Sequence, residues 1–93
     1  MDVQVKKGKN RFYILYEGQE IGEMTYEPEG EECFAVNHTF TDEHYRGQGI
    51  GGKLLEAMVD FAREQHKKII PVCPYVKFKF IKNPEKYQDV TSG

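Results

Sequence analysis

Tyr45-Arg46-Gly47-Gln48-Gly49-Ile50-Gly51-Gly52 is the stretch from which the rest of the chain can be organised. Four glycines in eight residues stand between a segment with a period of two and a segment with a period of 3.6. That is the sequence signature of a strand leading through a tight turn into a helix. Glycine lets backbone approach a ligand without a Cβ in the way, and the first N–H groups of a helix point at whatever sits before it. The turn is therefore expected to bind an anion at the positive end of the helix.

Downstream, Ile50, Leu54, Met58 and Phe61 form one apolar line with Leu55 and Ala62 beside it, while Lys53, Glu56, Asp60, Arg63 and Glu64 fall outside it. This pattern predicts an amphipathic helix of about 16 residues. Lys67 and Lys68 follow where a helix end favours cations, and Ile69-Ile70-Pro71-Val72 reads as a short buried strand. Upstream, Arg11 to Tyr16 and Ile21 to Tyr26 are rich in aromatic and β-branched residues and flank Glu17-Gly18-Gln19-Glu20, which predicts a hairpin. Glu27-Pro28-Glu29-Gly30 reads as a type I turn. A strand from Glu32 to Thr41 should then place Phe34, Val36, His38 and Phe40 on one face, and Cys33, Ala35, Asn37 and Thr39 on the other. Val3 to Lys6 adds a short first strand. Pro74 to Lys82 alternates as a strand does, but a proline at its start and Asn83-Pro84 at its end favour a short helix.

A chain of 93 residues is expected to form one domain, residues 1–93, burying roughly 60–65% of its unfolded surface. With 39% hydrophobic and 30% charged residues, the composition is that of a globular protein. Nothing resembles a leader peptide or a run of about 18 apolar residues, so the expected location is the cytoplasm, without membrane contact. Cys33 and Cys73 match no zinc or redox spacing and read as free thiols, and no metal site is expected. The net charge of −2 hides an asymmetry: residues 1–45 carry 4 basic and 10 acidic side chains, residues 46–93 carry 9 and 5. A polyanion would prefer the C-terminal half. Nucleic acid is disfavoured by the acidic balance and the lack of a clustered basic stripe.

Three phosphate motifs overlap in the turn. Gly47, Gly49 and Gly52 spell G-x-G-x-x-G, but a dinucleotide site needs an acid about 20 positions later, where Ile69 to Cys73 offer none. Gly47 to Lys53 spell G-x-x-x-x-G-K, but Leu54 stands where a P-loop needs Ser or Thr for magnesium. The third, R-x-x-G-x-G at Arg46, Gly49 and Gly51, requires neither missing residue. Here the chain resembles the GNAT superfamily of N-acetyltransferases, in its short single-domain branch. His38-Thr39 before the turn and Pro71-Val72-Cys73-Pro74-Tyr75-Val76 after the helix carry the likeness to that branch. Asp42-Glu43 departs from it, since relatives usually carry proline there.

The resemblance implies an α+β fold: a mostly antiparallel sheet, one central amphipathic helix after the glycine turn, a splayed following strand and a short C-terminal helix. It implies acetyl-CoA (coenzyme A) as cofactor, with its pantetheine arm between the splayed strands. Arg46, Gly47, Gln48, Gly49, Ile50, Gly51 and Gly52 would cradle the pyrophosphate, Phe40 and Thr41 would offer backbone groups to pantetheine, and Asn83, with Lys82 or Lys86, would reach the 3′-phosphate side. Cys73 precedes Pro74, where a helix cap favours thiolate over thiol; a small buried hydrophobe is the alternative role. Two routes to an amine acceptor of unknown identity stay open. In one the amine attacks directly with His38 as base. In the other Cys73 takes the acetyl group and His38 is the thiol's partner. Tyr75 is either a proton donor to the departing thiolate or a packing residue. A non-catalytic acyl-CoA-binding or sensing domain is the alternative function, and a monomer or weak dimer the expected state.

Overall fold

The computed structural model describes residues 2–92. Five strands, β1 (Gln4–Gly8), β2 (Arg11–Tyr16), β3 (Gln19–Glu29), β4 (Cys33–Thr41) and β5 (Lys68–Pro71), lie side by side in chain order. The first four are antiparallel neighbours and β5 joins β4 in parallel. A parallel step needs a crossover, and α1 (Ile50–Glu64) supplies it after a 3₁₀ turn at Glu43–Tyr45. Helices α2 (Pro74–Lys82) and α3 (Pro84–Tyr87) complete the expected α+β architecture.

The β2–β3 connection is tighter than expected. Tyr16 pairs with Gln19, leaving only Glu17 and Gly18 in the loop, both at positive φ, as a two-residue hairpin turn requires. The type I turn expected at Glu27-Pro28-Glu29-Gly30 does not form. Instead β3 runs on to Glu29, and Pro28 pairs with Phe34. The reason lies in β2, whose pairing with β3 ends at Arg11 and Thr25. The N–H of Tyr26 still bonds the Asn10 carbonyl on that side, but two residues later Pro28 faces no strand there and its missing N–H leaves nothing unpaired.

One core joins the sheet to the helices. Ile50, Leu54, Leu55, Met58, Val59 and Ala62 of α1 pack on Phe12, Ile14, Met24, Tyr26, Phe34 and Val36 of the sheet, and Val76, Phe80, Tyr87 and Val90 extend the same cluster. Gly22 permits this approach. A Cβ at that position would lie 2.6 Å from Ile50 Cγ2. Toward the other end of α1, Phe61 stacks on Phe34 with ring centroids 5.2 Å apart and meets Phe12 edge-on at 5.6 Å.

The C-terminal segment covers the outer edge of β5. Ile69 forms a parallel bridge with Thr91, and Ser92 N–H donates to the Ile69 carbonyl. Arg63 holds the segment down: its guanidinium donates to both Asp89 carboxylate oxygens, at 2.8 and 3.2 Å, and to the Lys86 carbonyl at 3.0 Å. The Arg63 hydrogen bond, followed by its charge, holds the Asp89 carboxyl below the usual carboxylate range. A depressed folded pKa stabilises the fold above the unfolded value of about 3.9, and that stability is lost as pH falls through the folded value. Thermal melts of wild type and Asp89→Asn should therefore differ at pH 6 and converge as acid protonates Asp89, with a smaller difference at high salt.

Among the described residues no helix is long and apolar enough to cross a membrane, and no group of three or more His, Cys, Asp or Glu side chains is placed to hold a metal.

Candidate active site

Strand β4 departs from its expected alternation midway. Thr25 pairs with His38 but Tyr26 pairs with Val36, so Asn37 is a bulge residue with no partner. One extra residue exchanges the two faces for everything after it. Phe34 and Val36 share the face toward α1, whereas Thr39, opposite buried Met24, now joins that face, and His38 and Phe40 face away from it. The expected grouping of His38 and Phe40 with Phe34 and Val36 is thereby corrected.

The bulge falls where β4 and β5 separate. Their pairing stops at Val36 and Pro71, and the Val36 carbonyl accepts from the N–H groups of both Val72 and Cys73, at 3.1 and 2.8 Å. Beyond that point β4 continues alone to Thr41. Phe40 turns its carbonyl toward Gly22 of β3, and Asp42 N–H bonds Ile21 on the same side, so the peptide groups of Thr39 and Thr41 point the other way, into the gap. The backbone groups offered there are those of Thr39 and Thr41; Phe40, expected to share this role, spends its carbonyl side on β3 and exposes its ring, 48% accessible, on the opposite face.

The loop from β4 into α1 carries a side-chain cap where relatives usually carry proline. Asp42 Oδ1 caps the 3₁₀ turn, accepting from His44 N–H at 2.9 Å and lying 3.0 Å from His44 Nδ1. The backbone bond comes first among the causes that hold the Asp42 carboxyl below its usual range. Gly47 and Gly49 follow at φ +84° and +77°, left-handed conformations that cost an L side chain about 1–2 kcal/mol. Gly49 is the N-cap of α1, and Lys53 N–H to Gly49 carbonyl, 3.0 Å, is the first bond of the helix. The N–H groups of Ile50, Gly51 and Gly52 precede it and are left for a ligand. A pocket of about 400 Å³ opens in front of them, lined by Thr39, Thr41, Tyr45, Arg46, Gly47, Gly49, Ile50, Gly51, Gly52 and Tyr75. Arg46 takes no part in an ion pair among the described residues, leaving its charge available.

Of the residues singled out in the sequence, Thr41, Arg46, Gly47, Gly49, Ile50, Gly51 and Gly52 converge on this pocket. Gln48 is exposed beside it, outside the lining. Asn83 is elsewhere: its Nδ2 donates to the Lys79 carbonyl at 3.1 Å, so the side chain closes α2 instead of reaching the pocket. Cys73 is the N-cap of α2 with Pro74 at the first helical position, as the Cys-Pro pair suggests. The residue is 4% exposed, its thiol lies 3.2 Å from Thr39 Oγ1, and it is not among the lining groups. His38 is exposed on the opposite face from Thr39, so the expected His38–Cys73 partnership is not formed; the thiol's partner is Thr39.

Thr39 and Tyr45 line the pocket without having been singled out as site residues. Thr39 was hidden by the bulge, but Thr-x-Thr closing a strand was a legible pattern. Tyr75, weighed as donor or packing residue, is half-buried at the pocket wall. Burial is the first cause pushing its phenol above the ordinary value, so the hydroxyl keeps its proton.

A family profile described as GCN5-related N-acetyl-transferase matches residues 11–90. Protein NATD1 of Danio rerio is 33% identical over 84 residues, covering 88% of this chain and 76% of that protein. Among solved structures, a GCN5-like protein from Staphylococcus aureus, determined by NMR, superposes with a TM-score of 0.78 at 37% identity, over 97% of this chain and 88% of the other. A GNAT family acetyltransferase from Elizabethkingia anophelis, solved with acetyl-CoA bound, shares the fold with a TM-score of 0.63 at 20% identity, over 80% of this chain and 51% of its own. The glycine cradle, the splayed strands and these likenesses agree: the chain belongs to the GCN5-related N-acetyltransferase family.

Proposed function

We propose that this chain is an N-acetyltransferase, acting as one acyl-CoA-binding unit, that moves an acetyl group directly to an amine. The observation that carries the reading is the row of free N–H groups at the start of α1, opening onto the gap where β4 has lost its partner. Acetyl-CoA is the cosubstrate supported by family membership. The cradle fits it: Gly47, Gly49 and Gly52 would each turn a Cβ into open space, so bare backbone faces the pocket, and Arg46 adds a positive charge at its rim.

When bound, acetyl-CoA supplies an activated acetyl group on a thiol that needs a proton to depart. Ile50, Gly51 and Gly52 N–H groups bind phosphate oxygens, aided by the helix end, which favours a nearby negative charge by roughly 0.3–1 kcal/mol. The peptide groups of Thr39 and Thr41 orient the pantetheine arm in place of a fifth-strand partner. Tyr75 holds a proton on Oη at the pocket wall. His38, exposed beside the bulge on the face away from α1, would accept a proton from an amine that arrives on that side.

Direct transfer is favoured over a cysteine intermediate because Cys73 is buried behind Thr39. Incubation with acetyl-CoA and a panel of primary amines, read by thiol release and product mass, tests both claims. Wild type should turn over, bind CoA in preference to ATP or NAD, and Cys73→Ala should retain most of the turnover. Tight CoA binding without product from any amine would favour the non-catalytic role. An acetyl adduct on Cys73 that chases into product would overturn the direct route.

A further inference from the structure

The glycines of the cradle are not equivalent. Gly47, Gly49 and Gly52 would direct a Cβ into open space. At Gly51 a Cβ would lie 2.9 Å from both Cζ and Oη of Tyr75, and 3.3 Å from Cε2. The space left by the missing side chain is thus filled by the phenol itself. Its φ lies outside the positive region, so alanine fits that backbone without strain. Conformation does not require glycine there.

We propose that Gly51 is a positioning residue: it seats the Tyr75 hydroxyl against the first turn of α1, where the phenol faces the pocket. The inference rests on the direct-transfer reading above, in which the Tyr75 Oη proton passes to the departing thiolate. The ring emerges from the first turn of α2, with the Lys79 ammonium 5.7 Å from its centroid, and packs half-buried against the edge of the core that Val76 and Phe80 enter. The core holds one side of the ring, and Gly51 is the floor on which its hydroxyl end rests. Because the clashing atoms are the far end of a side chain, Gly51→Ala moves the ring without breaking the fold. Alanine is also the better helix former, by about 1 kcal/mol in a helix interior. Stability and activity should consequently part: the variant melts no lower than wild type, yet its hydroxyl is displaced, and a misplacement of about 1 Å can cost up to 100-fold in rate.

Gly51→Ala is expected to bind CoA as wild type does, as measured by calorimetry, and to lower kcat about 10-fold with little change in KM for acetyl-CoA. In a Tyr75→Phe background the same substitution should have no further effect on kcat, because no hydroxyl remains to misplace. Independently of turnover, the Tyr75 ring resonances should shift in NMR spectra of the unliganded protein, and its phenol should titrate nearer the ordinary tyrosine value. Weakened CoA binding with unchanged kcat would assign Gly51 to the phosphate cradle alone and overturn the proposal. Unmoved Tyr75 resonances would overturn it as well. Absence of turnover in wild type would instead remove the direct-transfer reading, while the spectroscopic arm would still decide whether Gly51 seats the ring.

Discussion

Tyr75→Phe is expected to reduce kcat about 100-fold while leaving CoA affinity near that of wild type. Phenylalanine keeps the ring that packs on Gly51 and loses only Oη, so the pocket keeps its shape. On the direct-transfer reading a proton is needed at the pocket wall, and burial holds the proton on Tyr75 at neutral pH. General acid catalysis of this kind typically contributes about 10²–10⁴-fold, and the lower end suits a half-buried phenol that water can partly replace. The sign with pH follows. In wild type, kcat should fall as pH rises through the raised phenol value, since a phenolate cannot donate. In Tyr75→Phe that alkaline limb should be absent. Stopped-flow thiol release across pH measures both, and a variant with full kcat and an unchanged profile would return Tyr75 to a packing role.

That Tyr75 was only half-legible in the sequence is instructive. The elements that could be read were those whose causes are local: the glycine turn, the 3.6-residue line from Ile50 to Phe61, and the Cys73-Pro74 start of α2. Each depends on residues within a few positions of one another, and the chain supplies them in order. What escaped depends on neighbours in space. Asn37 looks like any strand residue until β3 fails to provide it a partner, and that one slip moves Thr39 into the site and His38 and Phe40 to the other face. Pro28 reads as a turn residue because nothing nearby announces that β2 has already ended. Asn83 carries a side chain suited to phosphate or adenine, but the carbonyl of Lys79, one helical turn back, claims it first. The partner of Cys73 was misjudged for the same reason as His38, since both hinge on the bulge. Periodicity therefore located the glycine-turn half of the pocket, whose parts are contiguous, more reliably than the half assembled from β4 and α2.

The same distinction singles out Gly22, where an added Cβ would be more crowded than at any other described glycine outside the turn. Gly22→Ala is expected to destabilise the protein by about 1–3 kcal/mol, the usual cost of overpacking a filled core. Its Cβ would lie 2.6 Å from Ile50 Cγ2, 3.3 Å from Leu54 Cδ1 and 3.3 Å from the Phe40 carbonyl oxygen. None of these can yield easily: Ile50 and Leu54 are 2% and 0% exposed at the start of α1, and the third atom is backbone. The helix must lift or turn, and the N–H groups it presents to the pocket move with it. For a domain of this size 1 kcal/mol corresponds to roughly 4–8 °C in Tm, so the loss is measurable by thermal or urea denaturation. CoA affinity should fall in parallel, although residue 22 is absent from the pocket lining. Truncating the opposing side chain separates this cause from others. Ile50→Ala alone should cost about 2–5 kcal/mol through its cavity, and adding Gly22→Ala to it should cost little more, because the new methyl enters space the isoleucine has vacated. Strict additivity of the two changes would mean that the tight approach of α1 to β3 is not what requires glycine at this position.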